Sequence, residues 1–408
     1  MTIVGYGGKV TSYDLAVGVK INMDELIYMI SPIDSPLING IGTDGRQLLA
    51  SSGTDQTTFK WMDEELLLPR AQTTDTGAAG AGVTTITVSA ADSYKFQEDD
   101  LLTIGEEGGI ANGAVKRITG INNTTGVITL ADWVNGSVWP ATTDHATTGD
   151  DTVICVGTAL VEGSDPGAAR SADRTIRENY TQIFGPTKVE MTRTEQQITR
   201  YGVSDEFAKQ LYGRSVENVI TREQAYLYGK PVDDTANKRR STGGLMNFIL
   251  TNTDATSTCL DVAELQTLMQ KCYNAGGVPD LLIANPASFA DLNAVESSSR
   301  VRTVIDDPRR GRVPVTSVFH EFGETQMVRN RWCHSETAFV VKKEGIQRRI
   351  MQPIIVEALA KKGDSDSVML LCEEGLQVKG ESHMAMFTNL TDYTDTPKFL
   401  AGLVGGGA

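Results

Sequence analysis

The chain has 408 residues, of which 40% are hydrophobic and 22% charged, and it carries a net charge of −15. This length supports a sizeable core and roughly two or three domains, and the composition excludes a disordered chain. The apolar runs fall far short of the ~20 residues that a membrane-spanning helix needs. Because no basic region followed by an apolar one opens the sequence, we expect no signal peptide, no membrane partner and synthesis in a cytoplasm.

The negative charge is distributed unevenly. Residues 1–165 hold 22 acidic and 8 basic side chains, whereas the remaining 243 residues hold 30 and 29. A protein that reads nucleic acid needs a basic stripe that follows the phosphates. This pattern therefore disfavours sequence-specific binding to nucleic acid, although it suits an acidic surface to which DNA does not adhere.

Residues that could carry chemistry form no recognisable motif. The five cysteines are scattered without a C-x-x-C pair, which indicates free structural thiols. No pair of the four histidines has metal-ligand spacing, and the glycine-rich stretch 77–82 lacks the ending of a phosphate-binding loop. We therefore expect no catalytic residue, no cofactor and no metal site. The basic stretch 238–244 leaves two alternatives open, a loop near a subunit contact and an anion site.

In chain order, residues 1–50 are rich in turn signals, with a short helix predicted over 22–30. Residues 54–70 are typical of an extended segment, in which Thr57, Phe59 and Trp61 alternate with neighbours on the other face.

A composition change at 73–85 introduces a series of short strands separated by turn residues. They predict a small β-barrel or sandwich over about 76–160, inserted into a longer extended ribbon with limbs near 54–72 and 172–193. The strand candidates are 86–89, 101–104, 114–119, 126–130 and 153–156.

The return limb leads into helices. Thr194 and Gln197 match a capping box, and Ser204 is predicted to cap a helix through about 228, ~37 Å long. Val203, Phe207 and Leu211 begin an apolar stripe on it that continues through Val216, Val219 and Ile220.

The remainder indicates an α+β arrangement. A helix capped by Asp261 and Glu264 runs to 276–277. A strand at 281–284 precedes a further helix that Asn285 can cap, with Pro286 at its first position. Further strands are predicted near 313–318, 325–331 and 337–342, followed by a hairpin with limbs 353–361 and 367–379.

Several of these stretches, taken in order, resemble a tailed-phage major capsid (major head) protein family that shares the Hong Kong 97-type fold. The strongest is RENYTQIFGPTKVEMTRTEQQITRYGVSDEFAKQL (177–211), which resembles the return limb of an extended loop and the following helix. The other matching stretches are FKWMDEEL (59–66), VGTALVEGSDPGAARS (156–171), RRSTGGLMNFI (239–249), DLLIANPASFADLNAV (280–295) and residues 357–390.

The resemblance implies an α+β fold with named parts. These parts are an N-terminal arm (1–53), extended-loop limbs (54–75 and 160–193), an inserted β-rich domain (76–159), a peripheral domain with a long spine helix (194–244), an axial domain (245–345), peripheral return strands (346–390) and a C-terminal tail (391–408).

The resemblance also implies a function. The chain would self-assemble into pentamers and hexamers that close an icosahedral virion head around double-stranded DNA, with decoration, scaffold and portal proteins as further partners. The alternative is a nanocompartment shell of the same fold, similar to an encapsulin. A third class, an enzyme or carbohydrate-binding protein, is opposed by the absence of a catalytic motif.

A ribbon that projects from its own subunit needs neighbouring subunits to pair its main-chain groups and cover its apolar side chains. Five residues are therefore candidates for burial between chains, with packing inside their own subunit as the alternative. These residues are Phe59, Trp61, Tyr180, Ile183 and Phe184.

Overall fold

The computed structural model describes most of the chain and divides it into two compact units. One unit combines Met1–Trp61 with Arg177–Ala408, and the other is Met62–Ile176. The described residues are 34–39, 48–66, 68–74, 84–106, 109–110, 115–132, 152–164, 173–199, 205–256, 260, 262–289, 304–307, 311–314, 317–361 and 363–390. The helix predicted over 22–30, the glycine-rich stretch 77–82 and the C-terminal tail lie outside these ranges.

Among the described residues, a short helix and the outgoing strand of the ribbon come first in chain order. Helix α1 (Pro36–Asn39) is followed by β1 (Ala50–Gly53) and β2 (Thr58–Glu65). In β2, Phe59 and Trp61 are buried while Lys60 and Met62 are exposed, which is the alternation expected of a strand with one buried face.

The unit Met62–Ile176 is built on a small sheet that closes on itself. Its order is β3-β9-β5-β7-β8-β4, with β6 beside β5, and a bridge between Thr73 and Val88 joins the two end strands. The Thr74 N–H also donates to the Thr87 carbonyl at 2.8 Å. The elements are β3 (Arg70–Gln72), β4 (Thr85–Thr87), α2 (Ala90–Ser93), β5 (Asp100–Glu106), β6 (Gly109–Ile110), β7 (Lys116–Asn122), β8 (Val127–Asp132) and β9 (Thr152–Thr158).

One continuous apolar cluster lies inside this barrel, and the side chains of Lys116 and Asp100 are buried as well. All five predicted strands are present, with bounds that differ by up to three residues, while α2 and β6 were not predicted. The turn between β7 and β8 needs Gly126, because its φ is +73° and an added Cβ would lie 2.0 Å from the Val88 carbonyl oxygen. The core residues are Ala71, Ile86, Val88, Phe96, Leu102, Ile118, Ile128, Leu130 and Val153.

The chain returns through β10 (Asp173–Tyr180), which pairs with β2 to form the two-stranded ribbon. Beyond it lie further elements of the described residues, with single 3₁₀ turns at Lys343–Gly345 and Glu381–His383 and a helical turn at 286–289. These elements are β11 (Gln182–Thr192), α3 (Arg193–Gln197), α4 (Glu206–Tyr228), β12 (Val232–Asp234), β13 (Arg239–Ser241), α5 (Leu245–Phe248), β14 (Thr253–Asp254), α6 (Val262–Asn274), β15 (Leu281–Ala284), β16 (Val304–Asp307), β17 (Gly311–Pro314), β18 (Ser317–His320), β19 (Gly323–Arg329), β20 (Ala338–Val341), β21 (Ile346–Ala358), β22 (Ser365–Val378) and β23 (Ala385–Phe387).

A four-stranded sheet and a six-stranded sheet organise this unit. The first has the order β1-β21-β22-β11, in which β21, β22 and β11 are antiparallel and β1 pairs with β21 in parallel. The second has the order β14-β23-β20-β15-β19-β18. Every residue of β15 and β20 is buried, which explains their unbroken apolar sequences, LLIA and AFVV. The mixed α+β class, with strands dominant, agrees with the prediction. Strand β21 begins seven residues before the predicted hairpin limb.

The long helix α4, hereafter the spine helix, has 23 residues and is therefore about 34 Å long. Its N-cap is Asp205, whose carboxylate accepts from the Ala208 N–H at 3.0 Å, so the predicted Ser204 cap was off by one residue. The cap of α3 is Thr192, not Thr194. The sequence TRTE also fits a capping box, and it places the cap directly at the end of β11.

The buried face of the spine helix differs from the predicted apolar stripe. Phe207 and Leu211 are only partly buried. The fully buried positions lie in the second half of the helix and are largely polar; they are Asn218, Arg222, Glu223, Tyr226 and Leu227. Val219 of the predicted stripe packs against the core, and Val203 lies outside the described residues. The prediction missed the buried polar positions because their partners come from distant segments that sequence periodicity does not reveal.

Candidate assembly elements

The end of β10 alternates between two faces. Asn179 and Thr181 are fully buried, and Arg177 is partly buried, whereas Glu178 is exposed and Tyr180 is half-buried. Because side chains alternate along an extended chain, residues 177, 179 and 181 share one face. We call these three inward-facing residues the ribbon root.

Asn179 is the centre of the ribbon root. Its Nδ2 lies 3.1 Å from the Thr242 Oγ1, 3.1 Å from the Gly243 carbonyl oxygen and 2.5 Å from the Leu376 carbonyl oxygen. Its Oδ1 accepts from the N–H groups of Tyr180 at 2.8 Å and Gly243 at 2.7 Å. One amide thus joins the ribbon to the segment before α5 and to β22. Every polar atom of this buried side chain is satisfied.

Arg177 forms the second contact of the ribbon root. Its Nη2 lies 3.1 Å from the Glu381 Oε1, and the same carboxylate accepts from the Thr251 hydroxyl at 2.6 Å and from the Leu250 N–H at 3.1 Å. Burial alone would raise the pKa of Glu381, but these donors and the guanidinium outweigh it and hold the pKa below its ordinary value. The carboxylate therefore stays ionised and ties the ribbon to the loop after α5.

Thr181 forms the third contact. Its hydroxyl donates to the Glu373 Oε1 at 2.6 Å, and the Arg240 Nη2 donates to the same oxygen at 3.1 Å. Arg240 belongs to the basic stretch 238–244, so this part of the stretch holds a carboxylate within its own chain. Lys238, at the turn between β12 and β13, has a positive φ of 56°.

The opposite face of the ribbon is solvated. The Lys60 Nζ lies 2.8 Å from the Glu178 Oε2, and the Tyr180 hydroxyl donates to the Glu178 Oε1 at 3.0 Å. The bond to Lys60 lowers the pKa of Glu178, and the bond to Glu178 raises the pKa of Lys60. Both groups are exposed, so this ion pair contributes little to stability.

The five predicted contact residues occupy different environments. Phe59 and Trp61 lie in the core of their own chain, where their rings stack at 6.1 Å, and Trp61 meets Phe248 edge-on at 5.6 Å. Phe184 is also buried in its own chain. Ile183, in contrast, is 51% exposed, and Tyr180 is half-buried. Within this set, Ile183 and Tyr180 are therefore the side chains with surface free for a neighbour, and the contact role stays a prediction.

A close approach fixes the ribbon above β22. At Gly375 an added Cβ would lie 2.7 Å from the Tyr180 carbonyl oxygen and 2.8 Å from the Phe59 ring. The absence of a side chain at Gly375 is what lets the ribbon pack here.

A buried charge cluster joins the spine helix to the hairpin β21–β22. The Arg222 Nη1 lies 2.8 Å from one oxygen of Glu374, and the Arg348 Nη2 lies 2.7 Å from the other. Burial alone would raise the pKa of Glu374, but the two guanidinium groups outweigh it and hold the pKa below its ordinary value. Tyr226, fully buried beside the cluster, has a pKa raised well above its ordinary value by burial and then by the charge of Glu374.

The neighbouring residue, Glu223, faces a different segment. Its Oε1 accepts from the Leu37 N–H at 2.9 Å and from the Asn330 Nδ2 at 2.8 Å, and its Oε2 accepts from the Ile38 N–H at 3.3 Å. Burial raises the pKa of Glu223 to about 7, although the two backbone N–H groups, Asn330 and the charge of Arg222 oppose that shift.

Sequence reasoning missed the ribbon root, the charge cluster and Glu223. The stretch RENYT does carry polar residues with period two, which is the available signal for the ribbon root. The same pattern is typical of a solvated edge, and only the partners at 242–243, 373–376 and 381 distinguish the two.

The described residues contain no constellation for metal chemistry. No group of three or more His, Cys, Asp or Glu side chains in these ranges could hold a metal ion. Among the helices in the described ranges, the structure holds no apolar span of membrane-crossing length.

Comparison with known proteins assigns the family. The family described as SU10 major capsid protein matches residues 5–391, nearly the whole chain. The chain therefore belongs to the SU10 major capsid protein family, which confirms the major capsid protein that the sequence suggested. A search of curated proteins found no match.

Solved structures similar to the chain are distant. A structure of Mycobacterium phage Bobi has 10% identity and a TM-score of 0.47, covering 93% of this chain and 99% of that one. The capsid of Myoviridae phage XM1 has 9% identity and a TM-score of 0.47, covering 94% and 100%. The SrpI encapsulin of Synechococcus elongatus has 13% identity and a TM-score of 0.38, covering 55% and 79%. These likenesses are too distant to carry an argument, and the assignment rests on the family match.

Proposed function

We propose that the chain self-assembles into pentamers and hexamers that close an icosahedral head shell around packaged double-stranded DNA. The observation that carries this proposal is the major capsid family match over residues 5–391. As a capsid protein the chain belongs to the virion, and we propose that it is synthesised in the host cytoplasm.

The proposal includes the division into capsid parts. Residues 1–53 would form the N-terminal arm, 54–75 and 160–193 the limbs of the extended loop, and 76–159 its inserted domain. Residues 194–244 and 346–390 would form the peripheral domain, 245–345 the axial domain and 391–408 the tail. The closed sheet in Met62–Ile176 supports an inserted domain, because its strands pair with one another and enclose their own core.

We propose that the solvated face near the end of the ribbon meets a neighbouring copy. On the inward face, the side chains of Arg177, Asn179 and Thr181 already bind partners in their own chain. We therefore place the contact with a neighbouring copy on the other face. Tyr180 lies on the opposite face of the ribbon root, and Ile183 follows it two residues after Thr181; both have exposed surface. Subunit contacts in a closed shell are spread over several such patches.

We propose that the DNA is enclosed without sequence-specific binding. The unit Met62–Ile176 holds 17 acidic and 6 basic side chains, a net charge of −11, which repels phosphates. The first partner is the chain itself, and decoration, scaffold and portal proteins are the further partners that such a shell would meet.

The test is electron microscopy of the full-length protein, expressed alone and with its neighbouring head proteins. We expect closed particles with five-fold and six-fold clusters of subunits. A chain that stays monomeric under both conditions would contradict the proposal. The contents of purified particles separate the alternatives, because nuclease-resistant DNA supports a head shell and an enclosed cargo protein supports a nanocompartment.

A further inference from the structure

The strand β21 is paired along only part of its outer edge. Strand β1 pairs with residues 347–350, and the Thr54 N–H donates to the Ile350 carbonyl oxygen at 2.9 Å. Beyond Ile350, no strand of the described residues pairs with this side of β21, although β21 continues to Ala358. The four-stranded sheet therefore ends there in an open edge, which we call the β21 edge (354–358).

Backbone groups point outward along the β21 edge. Leu359 donates its N–H to the Ser367 carbonyl oxygen on β22 at 2.9 Å, which makes these two residues a hydrogen-bonded pair of the ladder. Such pairs alternate with non-bonded pairs in antiparallel strands. The N–H and C=O groups of Val356 and Ala358 are therefore directed away from β22, toward the open side, where a further strand would satisfy them.

The side chains of the β21 edge are mainly apolar and exposed. Ile354 is 41% exposed and Val356 is 49% exposed, and Ala358 is exposed as well. Glu357 is the only charged residue in the stretch 350–360. An open strand edge with apolar side chains and little charge is a site at which another strand pairs.

The usual protection of open edges is found elsewhere in this sheet. Natural proteins shield such edges with charged side chains, prolines or irregular pairing. Strand β11, at the opposite edge of the sheet, exposes Lys188 and Glu190. In β21, Pro353 and the two register shifts lie between 350 and 355, which leaves the last residues of the strand regular and open. The β21 edge is therefore suited to the addition of a strand.

We propose that the β21 edge pairs with the β21 edge of a second copy of this chain, in antiparallel orientation and centred on Val356. In this register Val356 lies opposite Val356 of the second copy, and Ile354 lies opposite Ala358. Glu357 lies opposite Ile355, so the two carboxylates are kept apart. A parallel pair in register would bring the two Glu357 side chains together, and adjacent like charges destabilise a strand pair.

A second copy is the occupant because the edge is complementary to itself and because a major capsid protein acts as many copies. A two-fold contact uses the same patch on both subunits. A five-residue strand buries far less than the ~1,200–2,000 Å² of a stable interface. The contact therefore joins copies that other contacts already hold close, and in this respect it rests on the proposed shell.

Disulfide trapping tests the pairing in the full-length protein. Residues that are hydrogen-bonded to each other across a strand pair have Cα atoms about 5.5 Å apart, a distance that a disulfide spans. In Val356→Cys, mild oxidation of purified particles should convert most chains to a linked dimer on a non-reducing gel. The matched control is Glu357→Cys, an exposed neighbour whose two copies would lie about 8 Å apart, too far for a disulfide. This control should give no more dimer than the wild-type chain, whose own cysteines set the background.

The outcomes separate this contact from the shell itself. Particles that form without the Val356→Cys dimer, or with equal dimer in both variants, overturn the pairing and leave the shell intact. If no particles form, the same oxidation is applied to concentrated protein. A dimer specific to Val356→Cys then supports the pairing although the shell is wrong, and its absence overturns the pairing as well. If Val356→Cys does not fold, a mixture of Ile354→Cys and Ala358→Cys chains should form the mixed dimer in its place.

Discussion

Arg222 and Glu374, which are 152 residues apart in the chain, form a buried ion pair with 2.8 Å between Nη1 and Oε1. Arg348 binds the other carboxylate oxygen, so one acidic group holds the spine helix and the hairpin β21–β22 together. Apolar residues of the same helix and hairpin, among them Leu227 and Leu376, also belong to one core cluster. Buried ion pairs stabilise less than apolar packing of the same volume, yet they are costly to break.

Removal of the shared carboxylate should be strongly destabilising. In Glu374→Gln two buried guanidinium groups lose their counter-charge, and we expect a loss of about 3–5 kcal/mol in the free energy of unfolding. Chemical denaturation followed by circular dichroism measures this. The matched control is Glu217→Gln, which breaks the exposed pair with Arg214 and should cost less than about 1 kcal/mol. Equal losses in the two variants would refute the role of the cluster.

Acid should weaken the same cluster. The pKa of Glu374 is depressed in the folded chain, so its stabilising contribution is present above the unfolded value of 4.5 and is lost as pH falls through the folded pKa. Glu381 has the same sign. We expect the denaturation midpoint to fall as pH is lowered below about 4.5, and to fall less in Glu374→Gln. A midpoint that rises on acidification in this range would contradict the assignment.

Asn179 should be the most sensitive position of the ribbon root. Asn179→Ala leaves buried groups at Gly243 and Leu376 without their partner, and we expect a loss of about 2–4 kcal/mol. Hydrogen exchange should also accelerate at the Gly243 amide, which donates to the Asn179 Oδ1. The control is Asn237→Ala in the exposed turn between β12 and β13, where the side chain bonds to Asp234. A ribbon root that merely lies on a solvated edge would show no difference between the two variants.

Sequence periodicity predicted the elements better than it predicted their contacts. Strand β15, with LLIA, matched its prediction because a fully buried strand leaves a continuous apolar signal. The buried face of the spine helix was not predicted because Arg222 and Asn218 are polar residues whose partners, Glu374 and Phe184, lie far away in the chain. The burial of Asn179 was missed for the same reason.

Gly375 gives a prediction with an internal contrast. In Gly375→Ala the new methyl group would meet the Tyr180 carbonyl oxygen at 2.7 Å, which should shift the ribbon and cost about 1–3 kcal/mol. At Gly213 in the spine helix, no atom of the described residues outside the helix's own backbone lies within 4 Å of the added carbon, so Gly213→Ala should stabilise by up to about 1 kcal/mol. Thermal unfolding of the two variants measures both signs. If both substitutions stabilise, the close approach to the Tyr180 carbonyl does not exclude a side chain at Gly375.

Ile183 tests the proposed contact between chains without disturbing the core. It is 51% exposed, so Ile183→Asp should leave the free energy of unfolding of the single chain within about 0.5 kcal/mol of the wild-type value. If a neighbouring copy covers this side chain, the charged group must be desolvated in the shell, and the yield of closed particles should fall. Trp61→Ala cannot make this distinction, because Trp61 is buried in its own chain and its loss destabilises the monomer directly.

The comparison variant is Ile198→Asp, which has a similar exposure of 52% but lies outside the predicted contact set. Analytical ultracentrifugation of both variants measures particle yield, and an equal yield for Ile183→Asp and the wild type would remove Ile183 from the contact.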